Sequence, residues 1–439
     1  MTLRLSVIGT GYLGATHAAC MAELGFEVIG VDVDPQKVAI LQRGEVPFYE
    51  PGLDEVLASN IAAGRLRFTT SIEEAAAFAD IHFTCVGTPQ LAGAQRADMT
   101  QVFGSIEALA PHLRPGALVV GKSTVPVGTA NVIAERLAKI AAPGVEVAWN
   151  PEFLREGFAV EDTLRPDRLV VGVRSQRAED LLREVYAPLL AIGTPFLVTD
   201  FPTAELVKVA ANSFLATKIS FINAMAEVCE AAGADVAQLA EAIGYDPRIG
   251  HRFLSAGVGF GGGCLPKDIR AFMARAGEIG AEEALTFLRE VDQINLRRRS
   301  HTVDLALATL GGSFAGKGVT VLGAAFKPNS DDVRDSPALD IAVSIDNAGA
   351  RVKVHDPKAL ANAARVYPNM TYEQDVMSAL KGADLIIHVT EWTEYRELDP
   401  QEVAKVVNSR HIIDGRNTLD PAAWRKAGFT YRALGRPNA

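Results

Sequence analysis

The chain has 439 residues, of which 48% are hydrophobic and 22% are charged, and this length exceeds what one hydrophobic core fills. Its net charge of −10 excludes an electrostatic attraction to nucleic acid or to an anionic membrane surface. No apolar run approaches the roughly 20 residues that cross a bilayer, and no signal-peptide pattern precedes the first predicted strand, so a cytoplasmic protein of two or three domains is expected.

Residues 1–200 alternate short apolar strands with helical segments. Strands rich in β-branched residues that alternate with helices predict a parallel sheet with right-handed crossovers. We therefore expect an α/β, Rossmann-like domain over this range. Its predicted strands are RLSVIG at 4–9, FEVIGVDVD at 26–34, DIHFTCVGT at 80–88, ALVVGKST at 117–124, VEVAWN at 145–150 and RLVVGV at 168–173.

The first strand is followed by the glycine pattern GTGYLG and then by a helix. Gly9 permits a tight turn, Gly11 lets the backbone approach a pyrophosphate, and Gly14 lets the helix pack against the strand. Asp32 ends the second strand, where its carboxylate accepts hydrogen bonds from a ribose 2′-hydroxyl and repels a 2′-phosphate. Strand, glycines, helix and acid together predict a binding site for NAD rather than NADP.

Helical character replaces the alternation after residue 200. One long helix is predicted from about residue 203 to residue 233, and helical segments continue to about residue 310. A helix of this length is difficult to bury within either neighbouring domain. We therefore expect residues 201–310 to form a central helical domain, followed by a glycine-rich linker at 311–317.

The alternation resumes in residues 315–439, which predicts a second Rossmann-like domain. Its strands are GVTVLG at 318–323, ARVKVHDP at 350–357, ADLIIHVTEW at 383–392 and RHIIDGRN at 410–417. No glycine fingerprint follows the first of these strands, but three cations stand in its loops: Lys327, Arg334 and Arg416. One guanidinium group can bind two phosphate oxygens through two N–H groups. These residues therefore predict a phosphorylated ligand, with a solvated basic loop as the alternative.

The four cysteines form neither a disulfide framework nor a CxxC zinc motif. Cys264 stands apart, because it follows the loop GVGFGGG at 257–263 and precedes a helix with Pro266 in its first turn. The helix dipole and nearby Lys267 favour its thiolate. The other three lie in apolar strand or helix patterns and are expected to be buried: Cys20, Cys85 and Cys229.

A thiolate and NAD in one protein predict a specific oxidation. Nicotinamide accepts a hydride from an alcohol, whereas an aldehyde offers none until a nucleophile adds to its carbonyl. Addition of Cys264 gives a thiohemiacetal, oxidation gives a thioester, and hydrolysis gives an acid. Asp268 is a candidate base for the hydrolysis, or else a first-turn carboxylate that only complements the helix dipole.

Three further segments carry side chains suited to this chemistry. Lys208 and Asn212 are four residues apart in one predicted helix, so they share a face on which a cation and an amide stabilise an oxyanion. In NPEFLREG, Glu152 and Glu156 are candidates to bracket a water or a sugar hydroxyl, or else they form a surface carboxylate pair. Thr124, in KSTVPVGT, is a candidate to contact the nicotinamide or the reacting hydroxyl.

These motifs together resemble the UDP-glucose/GDP-mannose dehydrogenase family. The likeness runs through nearly the whole chain, in family order: GTGYLG, VDVD, KSTVPVGT, NPEFLREG, ELVKVAANSF, GVGFGGGCLPKD, FKPNSDDVRDSP and DGRN. It implies two NAD-dependent oxidations at C6 of UDP-glucose, with Cys264 as nucleophile, in a homodimer built on the long middle helix. Members that act on GDP-mannose or another nucleotide-hexose are the alternatives, and so is a non-catalytic NAD-sensing protein.

The resemblance also implies residues for each role. The implied catalytic residues are Cys264, Lys208, Asn212, Asp268, Glu152, Glu156 and Thr124. The implied cofactor contacts are Gly9, Gly11, Tyr12, Leu13, Gly14, Asp32, Lys37, Val86, Thr88, Thr124, Glu156, Lys267 and Arg334. The implied substrate contacts are Phe153, Leu154, Arg155, Glu156, Lys208, Asn212, Phe253, Gly257, Phe260, Lys327, Arg416 and, reaching a neighbouring subunit's substrate, Arg248. Gly263 and Leu265 depart from the Ser and Phe of many relatives.

Overall fold

The computed structural model describes residues 3–437, which divide into two compact units. The first comprises the chain as far as Ala211 together with Arg270–Ile279, and the second comprises Asn212–Ile269 together with the chain from Gly280 onward. The chain passes from the first unit to the second within one long helix. The division into domains at 1–200, 201–310 and 315–439 stays a prediction.

The described part of the first unit is built on an eight-stranded sheet. Its strands are β1 (Arg4–Ile8), β2 (Glu27–Val31), β3 (Leu66–Thr69), β4 (Ile81–Thr84), β5 (Leu118–Gly121), β6 (Glu146–Trp149), β7 (Leu169–Gly172) and β8 (Phe196–Thr199). They lie in the order β3-β2-β1-β4-β5-β6-β7-β8. Neighbours are parallel except β6 and β7, which meet antiparallel through Trp149 and Gly172 and so differ from the fully parallel sheet that the alternation predicts.

Two hydrophobic cores lie on opposite faces of this sheet. Val7 and Val28 point into one core, whereas the next residue of each strand, Ile8 and Ile29, points into the other. This follows from the two-residue period of a strand and requires helices on both faces. The helices are α1 (Tyr12–Glu23), α2 (Pro35–Gln42), α3 (Leu53–Ala62), α4 (Ile72–Phe78), α5 (Thr100–Leu109), α6 (Thr129–Ile140), α7 (Ala159–Leu164), α8 (Gln176–Val185) and α9 (Ala187–Ala191), with a 3₁₀ turn at Ala110–His112.

The helical middle of the chain begins with the predicted long helix, which is confirmed as α10. Its elements are α10 (Phe201–Ala232), α11 (Val236–Gly244), α12 (Leu265–Glu278) and α13 (Thr286–Thr309), with a 3₁₀ turn at Glu282–Leu285. Ile222 and Ala226 of α10 pack with Val236 of α11 and with Leu254 in a small apolar core. This core belongs to the second unit.

The second unit also contains a six-stranded sheet within the described residues. Its strands are β9 (Gly318–Leu322), β10 (Arg351–His355), β11 (Thr371–Tyr372), β12 (Leu385–His388), β13 (His411–Asp414) and β14 (Thr430–Ala433). Its helices are α14 (Pro337–Asn347), α15 (Leu360–Val366), α16 (Val376–Leu380), α17 (Thr393–Arg396), α18 (Pro400–Val406) and α19 (Pro421–Lys426).

The two sheets share one strand order. The second sheet runs β11-β10-β9-β12-β13-β14, which repeats the first six strands of the other sheet, and every pair in it is parallel. The predicted pair of Rossmann-like folds with a helical middle is therefore confirmed. No helix in residues 3–437 is long and apolar enough to cross a membrane.

Candidate active site

The glycine pattern after β1 forms a tight turn at the carboxyl edge of the first sheet. Gly9 has a φ of +87°, and a Cβ atom there would lie 2.8 Å from the side chain of Val86. A Cβ at Gly14 would lie 1.8 Å from the carbonyl oxygen of Gly9, so only glycine lets α1 approach β1 this closely. At Gly11 a Cβ would meet no atom within 4 Å, and no side chain caps α1 there. No side chain therefore competes with a bound pyrophosphate for the first amides of α1.

Asp32 follows β2 and is buried beside this turn. Its Oδ2 accepts hydrogen bonds from the amide of Thr10 at 2.9 Å and from Lys37 Nζ at 2.9 Å, and its Oδ1 accepts from the amide of Asp34 at 3.1 Å. Burial alone would raise the pKa of Asp32, but these hydrogen bonds hold that pKa below its ordinary value. An ionised carboxylate at this point fits the ribose hydroxyls of NAD.

In the second sheet Asp356 has the position that Asp32 has in the first, and its carboxylate is hydrogen-bonded by groups of the protein. Asp356 follows β10 as Asp32 follows β2, and it is buried. Its Oδ2 accepts from the amides of Ala324 and Ala325 at 2.8 and 2.9 Å and from Trp392 Nε1 at 3.1 Å. Protein donors therefore already occupy Oδ2 of Asp356, unlike a carboxylate that is available to a ribose.

Tyr12 links the glycine turn to the segment NPEFLREG through Glu50, a residue that the sequence did not reveal. The hydroxyl of Tyr12 donates to Glu50, whose buried carboxylate also accepts from the amides of Gly157 at 2.6 Å and Ala159 at 2.7 Å. Burial raises the pKa of Tyr12, the hydrogen bond and charge of Glu50 raise it further, and Glu156 adds to the effect. Glu50 was not identified from the sequence, because Gly157 and Ala159 are more than 100 residues away and Tyr12 is 38 residues away.

The loops after β4 and β5 are joined by two hydrogen bonds. Thr88 Oγ1 donates to the carbonyl of Thr124 at 2.8 Å, and Ser123 Oγ donates to the carbonyl of Val86 at 2.7 Å. Three of the expected cofactor contacts, Val86, Thr88 and Thr124, are therefore held together at the edge of the sheet that carries the glycine turn.

Lys122 is a buried cation beneath these loops, and its role was also missed. Its Nζ donates to Asn150 Oδ1 at 2.9 Å, and Tyr186 donates to the same oxygen at 2.5 Å. Burial lowers the pKa of Lys122 to about 8, while the nearby Cys85 and Glu152 act in the opposite direction. Lys122 thus ties the end of β5 to the end of β6, two residues before Glu152.

Lys208 and Glu152 form an ion pair in the first unit. Lys208 Nζ lies 2.9 Å from Glu152 Oε1, with side chains that are 7% and 12% exposed. Glu152 Oε2 accepts from the amide of Leu154 at 2.8 Å, and the ammonium lies 5.7 Å from the ring centre of Phe153. Arg155, in the same segment, forms a different ion pair, in which its guanidinium lies 2.7 Å from the carboxylate of Asp162.

Cys264 stands exposed at the N-terminus of α12, whereas the other three cysteines are buried. Burial raises the pKa of both Cys20 and Cys85 to about 12. The carbonyl of Cys264 accepts the first α12 hydrogen bond, from the amide of Asp268 at 2.9 Å. The expected placement of this thiol at a helix start is therefore observed.

Asp268 brings together two other expected residues of the second unit. Its Oδ2 accepts from Asn212 Nδ2 at 2.7 Å, and its Oδ1 accepts from Lys267 Nζ at 2.6 Å, while Asp268 itself is buried. Cys264 and Asp268 are four residues apart at the start of a helix, so they share a face. The arrangement places a carboxylate, an amide and a cation beside the thiol-bearing helix terminus.

Arg416 reaches into the interior of the second unit. Its Nε donates to the carbonyl of Val389 at 2.8 Å, its Nη1 to that of Gly259 at 2.9 Å, and its Nη2 to that of Phe326 at 3.2 Å. Gly257 packs against the same strand end, because a Cβ there would lie 2.5 Å from the carbonyl of Gly415. Arg416 therefore joins the glycine-rich loop to the loops after β9 and β12.

Four more expected site residues lie in the second unit: Lys327, Phe253 and Arg248 for the substrate, and Arg334 for the cofactor. Lys327 Nζ lies 5.3 Å from the ring centre of Phe326. Arg334 binds Asp332 and overlies Gly263, where a Cβ would lie 2.2 Å from its Cζ. Phe253 is partly exposed with a φ of +66°. Arg248 is 87% exposed and binds Asp246.

Comparison with known families decides the relationship. Residues 3–190 match the NAD binding domain of the UDP-glucose/GDP-mannose dehydrogenase family, residues 202–297 match its central domain, and residues 320–421 match its UDP binding domain. The chain belongs to the UDP-glucose/GDP-mannose dehydrogenase family. It is an NAD-dependent dehydrogenase, and NAD is the cofactor for which the glycine turn and Asp32 are suited.

Individual members of the UDP-glucose/GDP-mannose dehydrogenase family resemble the chain over its full length. The UDP-glucose 6-dehydrogenase of Rhizobium meliloti (strain 1021) is 40% identical over 99% of this chain and 100% of its own. The UDP-glucose 6-dehydrogenase TuaD of Bacillus subtilis (strain 168) is 41% identical over 99% of this chain and 93% of its own. A solved UDP-glucose dehydrogenase from Pyrobaculum islandicum superposes with a TM-score of 0.91 at 40% identity, covering 99% of this chain and 98% of its own.

Proposed function

We propose that the protein oxidises the C6 hydroxymethyl group of UDP-glucose twice and releases UDP-glucuronate. The observation that carries this proposal is the exposed thiol of Cys264 at the N-terminus of α12, with Lys267 and Asp268 in its first turn. Full-length relatives named UDP-glucose 6-dehydrogenase support the choice of sugar.

The first oxidation converts the C6 alcohol to an aldehyde. NAD, when bound, accepts a hydride from carbon in each oxidation. Glu152, whose carboxylate is held by Lys208 at 2.9 Å, accepts the hydroxyl proton directly or through a water. Lys208 and Asn212, one helical turn apart on α10, stabilise the negative oxygen. Thr124 contacts the nicotinamide or the reacting hydroxyl.

The second oxidation proceeds through a covalent adduct. The thiolate of Cys264 forms a C–S bond with the aldehyde carbon, and the carbonyl oxygen becomes an alkoxide or takes up a proton. Loss of a hydride from that carbon restores the C=O bond and gives a thioester. Water then adds to the thioester carbon, the C–S bond breaks, and the thiolate leaves. Glu152, Glu156 and Asp268 are the carboxylates that can accept the proton of that water.

We assign the contacts of the UDP-sugar from the residues that the sequence motifs imply. The diphosphate is bound by Lys327 and by the two N–H groups of the Arg416 guanidinium that its three carbonyl acceptors leave unused. The remaining contacts that we assign to the nucleotide-sugar are Phe153, Leu154, Arg155, Phe253, Gly257 and Phe260. The cofactor is assigned Gly9, Gly11, Tyr12, Leu13, Gly14, Asp32, Lys37, Val86, Thr88, Lys267 and Arg334, with Thr124 and Glu156.

The protein is proposed to act as a homodimer through α10. Three apolar side chains repeat at seven-residue spacing on this helix, which places them on one face: Phe214, Phe221 and Val228. They are 66%, 48% and 57% exposed, and an apolar stripe of this kind is typical of a protein interface. Arg248, which is 87% exposed, is then available to reach the partner's substrate.

The decisive experiment supplies purified protein with NAD and a panel of UDP- and GDP-hexoses, and it measures NADH formed per sugar consumed. We expect two NADH per UDP-glucose and UDP-glucuronate as product. The Cys264→Ser variant should form no acid, whereas the matched Cys229→Ser change at a buried thiol should leave the product unchanged. Acid formation by Cys264→Ser would refute the covalent route. A preference for GDP-mannose would assign the site to the other substrate of the family.

A further inference from the structure

The glycine-rich loop that leads to Cys264 is tethered by side chains from several elements. The amide of Gly257 donates to Asn223 Oδ1 of α10 at 2.8 Å, and the carbonyl of Gly259 accepts from Arg416 Nη1 at 2.9 Å. The strongest tether is at Phe260, where a side chain of α13 binds both backbone groups. This loop therefore has its conformation set by groups far away in sequence.

Asn295 makes that two-way contact. Its Oδ1 accepts from the amide of Phe260 at 2.7 Å, and its Nδ2 donates to the carbonyl of Phe260 at 2.9 Å. The side chain is fully buried in the middle of α13. Asparagine is a poor residue for a helix interior, and a carboxamide is a short side chain that offers both a donor and an acceptor in one plane. Its presence here is explained by the contact with Phe260.

The loop is built to accept this clamp. Gly259 has a φ of +93°, and a Cβ there would lie 2.4 Å from Asn295 Oδ1, so glycine is needed for the close approach. Arg299, also on α13, donates from Nη2 to the carbonyl of Phe260 at 3.1 Å. Two side chains of one helix thus bind the backbone of a single loop residue, Phe260.

We propose that Asn295 is a positioning residue, which holds the loop at 257–263 so that the thiol of Cys264 meets the aldehyde before it escapes. This inference depends on the proposed function, in which Cys264 is the nucleophile. Five of the seven loop residues are glycine, which loses more conformational freedom on ordering than any other residue. Without the clamp the loop has many alternative conformations, and a displacement of about 1 Å at a reacting group lowers a rate by about 100-fold.

The test compares two variants of Asn295 with a matched control. Asn295→Asp keeps the shape and the acceptor but turns a carboxylate oxygen toward the Phe260 carbonyl. Asn295→Ser removes the two-way contact without burying a charge, and it serves if the aspartate variant does not fold. The control is Gln293→Glu, which makes the same amide-to-acid change at an exposed position of α13.

The readouts are kcat, the KM for NAD, and NADH formed per UDP-glucose consumed, with hydroxylamine present to trap free aldehyde. We expect kcat for acid formation to fall about 100-fold and the KM for NAD to stay unchanged, because the NAD-binding domain is residues 3–190. We also expect NADH per sugar to fall from two toward one as the aldehyde escapes. A slower variant that still gives two NADH per sugar has only a structural defect, and the inference is then wrong.

The two proposals fail in different ways. If the wild-type protein forms one NADH per sugar, or if Cys264→Ser still forms acid, the proposed function is wrong whatever Asn295 does. The other outcome is that the wild type forms two NADH per sugar and Cys264→Ser no acid, while both Asn295 variants match the wild type in kcat and in NADH per sugar. In that case only the positioning role of Asn295 is wrong.

Discussion

The ammonium of Lys208 lies 2.9 Å from the carboxylate of Glu152, and little of either side chain is exposed. The two residues are far apart in sequence, one after β6 and the other on α10. A buried pair of this kind contributes little net stability over an apolar pair, but removing one partner leaves an uncompensated charge in the interior. The pair therefore lets stability and catalysis be separated by mutation.

Replacing Lys208 by Met should lower the free energy of unfolding by about 3 kcal/mol, because Glu152 is left buried without its counter-ion. The double variant Lys208→Met/Glu152→Gln should recover most of that loss. Activity should not recover, since the group that stabilises the oxyanion is absent from both, and kcat should fall at least about 100-fold. Urea unfolding and NADH formation measure the two effects.

The control for this pair is Lys139→Met, at an exposed lysine of α6. It should change neither the unfolding free energy nor kcat. If the double variant were no more stable than Lys208→Met, or if it regained activity, the pair would not have the role assigned to it.

We expect Asp32 and Lys37 together to set the preference for NAD. Removing the carboxylate in Asp32→Ala takes away a charged acceptor for the ribose hydroxyls, and hydrogen bonds to charged groups contribute about 1.5–3 kcal/mol. We expect kcat/KM for NAD to fall about ten- to a hundredfold. NADP should be used better than by the wild type, because the ammonium of Lys37 can then pair with the 2′-phosphate.

The double variant Asp32→Ala/Lys37→Ala separates the two contributions. Its kcat/KM for NADP should return toward the wild-type value, while its kcat/KM for NAD should stay as low as in Asp32→Ala. Steady-state kinetics with both cofactors measure this, and an unchanged NADP/NAD ratio in Asp32→Ala would show that Asp32 does not read the ribose.

The sequence predicts those parts of the site that depend on local pattern. The turn at Gly9, the acid at Asp32 and the exposed thiol before α12 all follow from strand, glycine and helix signals within a few residues. The main strands and the long helix α10 follow from hydrophobic periodicity. The edge strands of both sheets were missed, because an edge strand is partly exposed and needs no continuous apolar run: β3, β8, β11 and β14.

The parts that sequence could not supply are partnerships between distant residues. Glu50 holds the amide of Gly157, and Asn295 holds Phe260, and neither acid nor amide stands in a motif. The burial of Lys122 was equally hidden, since a lysine after a strand is usually solvated. These contacts depend on which elements the fold brings together, and the local hydrophobic periodicity of the sequence carries no information about that.

The dimer proposal predicts that Phe221→Lys separates the protomers, because it places a charge in the middle of the apolar stripe on α10. Analytical ultracentrifugation should then show a monomer with low activity. Lys139→Met again serves as a control and should sediment as the wild type does. A monomeric wild-type protein with full activity would contradict the proposal.

Arg248 offers a sharper test of the same idea. Arg248→Ala and Cys264→Ser should each be nearly inactive alone. If Arg248 serves the partner's site, mixed dimers contain one site with both residues intact, so a fully exchanged equal mixture should show about a quarter of wild-type activity. If both variants are inactive alone and exchange restores no activity, Arg248 acts within its own subunit and the proposal is wrong.

Lys122 should make stability depend on alkaline pH in a defined direction. Burial lowers its pKa from the ordinary 10.5 to about 8, and the groups that face it are Cys85, Glu152 and His17. Between pH 8 and 10.5 the unfolded chain holds the proton and the folded chain does not. The unfolded state binds more protons there, so this residue's contribution to the free energy of unfolding rises with pH.

Replacing Lys122 by Met removes that contribution. The free energy of unfolding of the wild type minus that of Lys122→Met should therefore rise between pH 8 and 10.5, by at most about 3 kcal/mol, and should be constant below pH 8. The raised pKa values of Tyr12 and Tyr186 affect both proteins and cancel in the difference. Urea unfolding at pH 7, 8.5 and 10 measures the difference, and a flat difference would mean that Lys122 is not a buried cation.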